Sequence, residues 1–237
     1  MSDRRLPTLF AKTCADLGVR IRDYLYALRW QVIGVARRHD PMAYRRDTPG
    51  RPAVVLLPGI YESWTFMLPV AELLRDHDYD VHPVVDLGHN GGTVEETARQ
   101  VDLYIRRAGI DKCVLVAHSK GGLTGKRLLT HHNEDAAITG MVALNTPFAG
   151  SALARLLPFP ALRVFLPHSS ELAALGSSSH VDQDIVSIFS LFDPHIPGGS
   201  HLEGAHNVQV SARGHFMPLS DPRVHEAILD GIRTLTR

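Results

Sequence analysis

The stretch VLVAHSKGGL, residues 114–123, joins a continuous apolar run to a segment with helical spacing. Apolar runs without alternation are typical of strands that are covered on both faces. A serine on a sharp strand-to-helix turn is lifted clear of the sheet, and the positions two before and two after it must then be small. Ala117 and Gly121 meet that requirement. The pattern is weak alone, but its strand-turn-helix context makes Ser119 a candidate nucleophile.

The residues on either side of this stretch alternate between short apolar runs and amphipathic segments. The predicted strands are 53–57, 81–85, 113–117, 138–144, 185–191 and 208–210. The predicted helices are 64–75, 93–107, 120–131 and 223–234, and Thr93 with Glu96 forms a capping box at the second of these. Alternation of this kind predicts an α/β fold with a mostly parallel, doubly wound sheet of about six strands and helices on both faces.

Two regions depart from this alternation. Residues 6–35 place apolar side chains at three- and four-residue steps, which predicts an N-terminal helix with a break near Gly18. We therefore divide the chain into a helical extension, 1–50, and a main domain, 51–237. Within the main domain, residues 151–183 are rich in Leu, Ala and Phe but are interrupted by three prolines. They predict an excursion of short helices, either a lid and acyl pocket or ordinary core packing.

Charge restricts the partners that the chain is expected to have. Lys plus Arg and Asp plus Glu number 25 each over 237 residues, so we expect no nucleic-acid partner. Residues 1–50 are locally basic, with ten Lys and Arg against five Asp. A basic amphipathic helix can lie on an anionic membrane surface, whereas packing against the main domain is the favoured alternative. Lys12, Asp16 and Arg20 break the first apolar run, which predicts a cytoplasmic protein, with a peripheral membrane location as the alternative.

A serine hydroxyl needs a base to take its proton, and the base needs a third group to orient it. After such a serine turn, the expected chain order is the acid and then the histidine. Asp193 directly follows a predicted strand, whereas Asp182 and Asp184 precede that strand and lie at its wrong end. His215 stands on the loop that leaves the last strand. We predict that Asp193 orients His215, which serves as base for Ser119.

The negative charge that develops on the substrate oxygen requires backbone N–H donors that are already in place. One is expected at Lys120, after the serine, and the other at Ile60, where Gly59 permits an unusual turn after the first strand. The Lys120 side chain is unfavourable at a helix N-terminus. We predict that it pairs with Glu62 or meets an anionic substrate group, with a surface-directed side chain as the alternative.

Four aromatic residues close to these elements are predicted to contact the substrate: Tyr61, Trp64, Phe148 and Phe216. The histidines have no tight zinc-type spacing, and no loop alternates carboxylates as calcium loops do. We therefore predict no metal site and no cofactor.

Several motifs, taken in order, resemble the bacterial triacylglycerol lipase and esterase group of the α/β-hydrolase superfamily. They are PGI at 58–60, AHSKGG at 117–122, NTPFAGS at 145–151, SLFD at 190–193 and GHFMPL at 214–219. The resemblance implies hydrolysis of a small-molecule ester or lipid-like substrate through an acyl-serine intermediate, with Ser119, Asp193 and His215 as the triad. Thioesterases and acyltransferases share that intermediate and stay open as alternatives. A non-catalytic binding protein with the same fold is the alternative from another class.

Overall fold

A computed structural model describes residues 5–36, 39–46, 50–156 and 160–237, and for residues 5–14, 155, 156 and 160–162 it describes the backbone alone. Six strands form one sheet in the order β2-β1-β3-β4-β5-β6. All five neighbouring pairs are parallel, which confirms the predicted doubly wound sheet. The strands are β1 (Ala53–Leu57), β2 (Val81–Pro83), β3 (Cys113–His118), β4 (Ile138–Leu144), β5 (Ile185–Phe192) and β6 (His206–Arg213).

Six α-helices accompany the strands: α1 (Arg5–Ala36), α2 (Leu68–Asp76), α3 (Val94–Arg107), α4 (Lys120–His131), α5 (Ser170–Gly176) and α6 (Pro222–Leu235). The predicted capping box forms at α3, where Thr93 and Glu96 bond each other's backbone N–H. The predicted helix over 64–75 is divided: Trp64–Met67 is a 3₁₀ turn, and the α-helix begins only at Leu68. Pro69 lacks an N–H and suits the first turn of a helix, so it sets that beginning.

Apolar side chains cover both faces of the sheet. On β1, Val54 and Leu56 pack into one cluster with α2 and α6, while Val55 and Leu57 pack into another with α3 and α4. All five side chains of β1 are buried. This two-sided burial explains why the strands are continuous apolar runs rather than alternating ones. The edge strand β6 is half-exposed and extends beyond the predicted 208–210. The prediction was too short because the apolar positions of β6 alternate with polar ones.

Helix α1 differs from the sequence-based expectation in two ways. It continues through Gly18 without a break, because a glycine weakens a helix interior by about 1 kcal/mol and does not end it. The helix packs through a face that includes Val19, Asp23 and Trp30, and not through the apolar residues whose spacing predicted it. Those residues, Leu17, Ile21, Leu25, Leu28, Val32 and Val35, are 52–82% exposed.

The loops that α1 contacts all leave the carboxyl ends of strands. The helix packs against the 3₁₀ turn Trp64–Met67, which follows β1, and the 3₁₀ turn Met217–Ser220, which follows β6. Residues 151–183 form 3₁₀ turns and the short helix α5 near the same edge. Leu172 and Leu175 of this segment pack with Val94 and Leu123 in a small apolar cluster. In parallel α/β sheets the carboxyl edge is where ligand sites form.

Candidate active site

Ser119 occupies the turn between β3 and α4 with φ 51° and ψ −118°. A positive φ is rare for a residue other than glycine, and strained backbone of this kind persists only where the surroundings enforce it. A Cβ atom on Gly121 would clash with the carbonyl oxygen of Leu57, and one on Gly122 would clash with the side chain of Thr146. Helix α4 can therefore approach the end of β1 and the loop after β4 only because both positions are glycine.

The structure brings together the side chains of Ser119, His215 and Asp193, which were predicted to act as one catalytic group. His215 Nε2 lies 3.0 Å from Ser119 Oγ, and His215 Nδ1 lies 2.7 Å from Asp193 Oδ2. Asp193 directly follows β5, and its other oxygen accepts the N–H groups of His195 (2.7 Å) and Ile196 (3.1 Å). All three side chains are buried. The arrangement matches a hydroxyl, a base and a group that orients the base.

Burial and neighbouring charge shift the pKa values of His215 and Asp193 in opposite directions. Burial alone would lower the pKa of His215, but the carboxylates of Asp193, Asp23 and Glu62 outweigh it and raise that pKa above its usual value. Burial alone would raise the pKa of Asp193, but His215 and the N–H of His195 keep it below its usual value. The surroundings therefore favour an imidazolium beside a carboxylate, which is the state formed when the base accepts a proton.

The loop after β1 is tied down by a buried carboxylate. Glu62 accepts the N–H of Gly59 at 2.6 Å, and it also bonds Nδ1 of His118 at 2.9 Å. The opposite ring nitrogen of His118 bonds the carbonyl of His215 at 3.0 Å. With the Gly59 N–H taken by Glu62, the N–H of Ile60 has no acceptor among the described residues. Ile60 and Ser119 line the same cavity.

The prediction that Lys120 pairs with Glu62 is wrong, and so is a surface-directed side chain. Its buried ammonium donates to the carbonyls of Asn90 (3.0 Å) and Gly92 (2.6 Å), to Asn90 Oδ1 (2.9 Å) and to Thr97 Oγ1 (3.3 Å). Burial lowers the pKa of Lys120 to about 8. The side chain is long enough to turn back to the loop before α3, which sequence neighbours do not reveal.

Lys120 also reaches the loop after β1 indirectly. Asn90 accepts from Lys120 and donates through Nδ2 to the carbonyl of Pro58 at 2.7 Å. Asn90 itself has a positive φ of 49° and is buried. The ammonium thus fixes Asn90, which in turn fixes the residue that precedes Gly59.

A cavity of about 470 Å³ lies above Ser119 and His215. Tyr61 and Phe216, two of the four aromatic residues predicted to contact the substrate, line it. Trp64 and Phe148 do not. Trp64 is 7% exposed and stands edge-on to Tyr44 beneath α1, because its 3₁₀ turn directs it into the core. Phe148 packs against two apolar clusters instead. Most of the remaining wall is apolar and includes Leu153, Ala154, Phe165 and Ile196.

Helix α1 contributes to the site in a way that the sequence did not reveal. Asp23 is 0% exposed, and its carboxylate accepts the N–H groups of His215 (2.8 Å), Phe216 (2.9 Å) and Met217 (2.9 Å). Gln31 of the same helix donates to the carbonyl of Tyr61 at 2.7 Å. The one signal was the position of Asp23 four residues after Val19 and seven before Trp30, on the buried face.

His195 is the other residue that sequence reasoning missed. Its ring stacks on that of His215, with centroids 4.7 Å apart, and it lines the cavity. Burial, and then the neighbouring His215, lower the pKa of His195 to about 3, so its ring is neutral near pH 7. Its Nε2 is buried and has no hydrogen-bond partner within the described part of the chain. The site therefore holds two stacked imidazoles, of which only His215 bonds Ser119.

Among the residues with described side chains, no three His, Cys, Asp or Glu lie close enough together to hold a metal ion. The groups that the structure assembles here are a hydroxyl, imidazoles, carboxylates and backbone N–H donors. Such a set suits transfer of an acyl group to the hydroxyl.

Solved structures share this fold at low sequence identity. A lipase from Bacillus licheniformis in its mature form is 19% identical, with a TM-score of 0.55 over 81% of this chain and 95% of that one. An extracellular alpha/beta-hydrolase from a Paenibacillus species is 18% identical, with a TM-score of 0.55 over 76% and 98%. An enol-lactonase from Burkholderia xenovorans is 18% identical, with a TM-score of 0.54 over 80% and 94%. Identities this low show the fold alone.

A comparison with curated proteins finds no match. The family model described as the alpha/beta hydrolase family matches residues 54–193, more than half of the chain. That range runs from β1 through the serine turn to Asp193. The chain therefore belongs to the alpha/beta hydrolase family.

Proposed function

We propose that this protein hydrolyses carboxylic esters through an acyl-serine intermediate, with Ser119 as nucleophile, His215 as base and Asp193 as the group that orients the base. The observation that carries the proposal is the continuous hydrogen-bonded series from Ser119 through His215 to Asp193 at the floor of an apolar cavity. Membership of the alpha/beta hydrolase family supports the hydrolase class of this proposal.

In the first half of the reaction, Ser119 Oγ attacks the ester carbonyl carbon while its proton passes to His215 Nε2. Asp193 accepts from Nδ1–H and stabilises the imidazolium. The new oxyanion lies against the N–H groups of Ile60 and Lys120, each contributing roughly 3 kcal/mol to the barrier reduction. The intermediate expels the alcohol, which takes the proton from His215. A water molecule then repeats these steps on the acyl-serine and releases the acid.

The cavity wall supports an apolar acyl group. Leu153, Ala154, Phe165 and Ile196 offer aliphatic and aromatic surface beside Ser119. Burying apolar substrate surface there contributes about 25 cal/mol per Å². Three of the structures with this fold are described as a lipase, as lipolytic enzymes and as an enol-lactonase, names that agree with ester chemistry.

A fluorophosphonate probe tests the proposal directly, because it forms a covalent bond only with an activated serine. We expect mass spectrometry to place the adduct on Ser119, and we expect Ser119→Ala to lose labelling together with at least about 10⁴-fold of p-nitrophenyl ester turnover. Ser151→Ala is the matched control, since Ser151 is the other serine of the cavity wall, and it keeps the adduct.

A folded protein without an adduct on Ser119 would instead indicate a binding protein that has the fold and lacks the reaction. An Ser119→Ala variant that kept more than about a tenth of wild-type turnover would remove the role of Ser119. A series of p-nitrophenyl esters of increasing acyl length then measures how much of the cavity the acyl group occupies.

A further inference from the structure

Helix α1 presents an apolar stripe that no described part of the chain covers. It consists of Leu17, Ile21, Tyr24, Leu25, Leu28, Val32 and Val35, which are 52–82% exposed. At 100° per residue these side chains fall within an arc of about 100°, the width of a face that a helix normally buries. At 1.5 Å per residue the stripe is about 27 Å long. A contiguous exposed apolar surface of this kind indicates an interaction site.

The residues at the edges of the stripe are cationic. Arg20 stands on one side of the arc and Arg22 and Arg29 on the other, and all three are exposed. The two carboxylates of the described part of α1 are already engaged: Asp16 pairs with Arg213, and Asp23 accepts three backbone N–H groups. An apolar face bordered by unneutralised arginines complements an acidic lipid surface, where the acyl region takes the apolar side chains and headgroups take the guanidinium groups.

The stripe is continuous with the wall of the cavity. Tyr24 belongs to both, and Ala27 and Gln31 of the same helix also line the cavity. Tyr61, which is 43% exposed, lines the cavity as well, and its carbonyl is bonded by Gln31. A surface that contacts the stripe is therefore placed beside the cavity above Ser119.

No helix within the described residues is long and apolar enough to cross a membrane. The other occupant to weigh for the stripe is a second copy of the chain. A second copy of the chain would set the arginines at the edges of one stripe against those of the other, while the carboxylates of both helices are already engaged. Like charges brought together in this way oppose self-association.

We infer that α1 docks the protein on the surface of an acidic lipid bilayer through this stripe, with Arg20, Arg22 and Arg29 among the headgroups and the cavity facing the lipid. The inference rests on α1 and does not depend on the hydrolytic step. It thus adds a membrane partner to the proposed enzyme and would hold for a catalytically inactive variant too.

Co-sedimentation with vesicles tests this docking. We expect the full chain to sediment with vesicles of phosphatidylcholine mixed with phosphatidylglycerol and much less with phosphatidylcholine alone. Leu25→Asp combined with Leu28→Asp places two carboxylates on the stripe and should weaken binding at least about tenfold. Leu103→Asp is the matched control, because Leu103 is a 45% exposed leucine on α3, which packs on the opposite face of the sheet from α1, and it should bind as the wild type does.

The charged edge has its own test. Arg22→Gln combined with Arg29→Gln should weaken binding to the acidic vesicles about 25-fold and leave the weak binding to neutral vesicles unchanged, because each arginine near an anionic surface adds about 1 kcal/mol, or some fivefold. Hydrolysis of soluble p-nitrophenyl butyrate should be unchanged in both double variants, since none of these four residues lines the cavity. Failure of docking is thereby separated from failure of the proposed reaction.

Two results would overturn the inference. One is a wild-type chain that stays in the supernatant with both kinds of vesicle. The other is a wild-type dimer in solution, measured by light scattering, that the Leu25→Asp and Leu28→Asp pair converts to monomer, because the stripe would then be a contact between copies.

Discussion

The turn at Ser119 and the helix α1 both shape the candidate site, but they do so over very different distances along the chain. At the turn, the strand, the serine, the glycines and the helix are consecutive. From α1, Asp23 bonds the backbone of residues 215–217, which lie 192 to 194 positions later in the chain. The turn follows from steric rules that act between neighbours, whereas the α1 contact depends on the completed fold. The serine turn can therefore be predicted from the sequence, whereas the contact of Asp23 with residues 215–217 cannot.

The two regions also differ in the surroundings of their polar side chains. The turn places Ser119 on the wall of the cavity. The carboxylate of Asp23 is wholly buried, and it accepts hydrogen bonds from three backbone N–H groups. We therefore assign the turn to the proposed reaction, and Asp23 to holding the backbone around His215 in position. The following predictions separate these two roles, beginning with the largest expected effect.

Asp23→Ala should have the largest effect in α1. It leaves one buried and two partly buried N–H groups without an acceptor, and each unsatisfied buried group costs about 1–3 kcal/mol. We expect the free energy of unfolding to fall by about 3 kcal/mol or more, measured by urea denaturation. Turnover of p-nitrophenyl butyrate should fall on the order of 100-fold with KM nearly unchanged, because His215 is displaced from Ser119.

Asp16→Ala is the matched control for that experiment. Asp16 lies two helical turns earlier and pairs with Arg213 at a partly exposed position, so its loss should cost about 0–1 kcal/mol and little turnover. If Asp23→Ala behaved as Asp16→Ala does, α1 would be an attachment without influence on the base, and the contrast between the two regions would fail.

Lys120→Met tests the turn region through the pH dependence of stability. Burial lowers the pKa of Lys120 to about 8, so between about pH 8 and 10.5 the unfolded chain holds a proton that the folded chain has released. The free energy of unfolding of the wild type should therefore rise with pH across this window by up to about 3 kcal/mol, a component that Lys120→Met lacks. Denaturation curves at pH 7.5 and at roughly pH 10 measure the difference.

The sign of that trend is the decisive feature. If the wild type instead lost stability relative to Lys120→Met in that window, the acceptors at Asn90, Gly92 and Thr97 would be holding the ammonium charged. The description of Lys120 as a cation disfavoured by its burial would then be wrong.

Gly18→Ala should have the smallest effect. Gly18 is interior to α1, and a Cβ atom there meets nothing within 4 Å. Alanine should raise the free energy of unfolding by about 0.5–1 kcal/mol, because it loses less backbone freedom on folding. Gly121→Ala provides the contrast from the turn, where the same added methyl group meets the Leu57 carbonyl and should reduce both stability and turnover.

The parts of the molecule that the sequence predicted are those fixed by local rules. The order of six strands and their helices followed from apolar periodicity and the capping box at Thr93, and the positions of Asp193 and His215 followed from the requirement that both lie after strand ends. The structure brings these two side chains to Ser119. Their catalytic roles remain a proposal.

Other features depended on tertiary contacts that a sequence does not carry. Apolar spacing in α1 predicted a packed face, yet Leu25 and Leu28 are exposed and the packed face contains Asp23. Lys120 could reach either Glu62 or the loop before α3, and only the folded positions of the acceptors decide between them. Trp64 is an aromatic residue of the kind that often contacts a ligand, but it belongs to the core because the 3₁₀ turn directs it inwards.

The bonds of Asp23 to residues 215–217 also impose an order on folding. A ribosome releases residue 23 long before residue 215, so the carboxylate has no native donors while most of the chain is being made. Contacts of such large sequence separation form late, after loop closure between distant segments has been overcome. The bonds of Asp23 can therefore form only after the last strand has been made, and they fix the backbone around His215 only at that step.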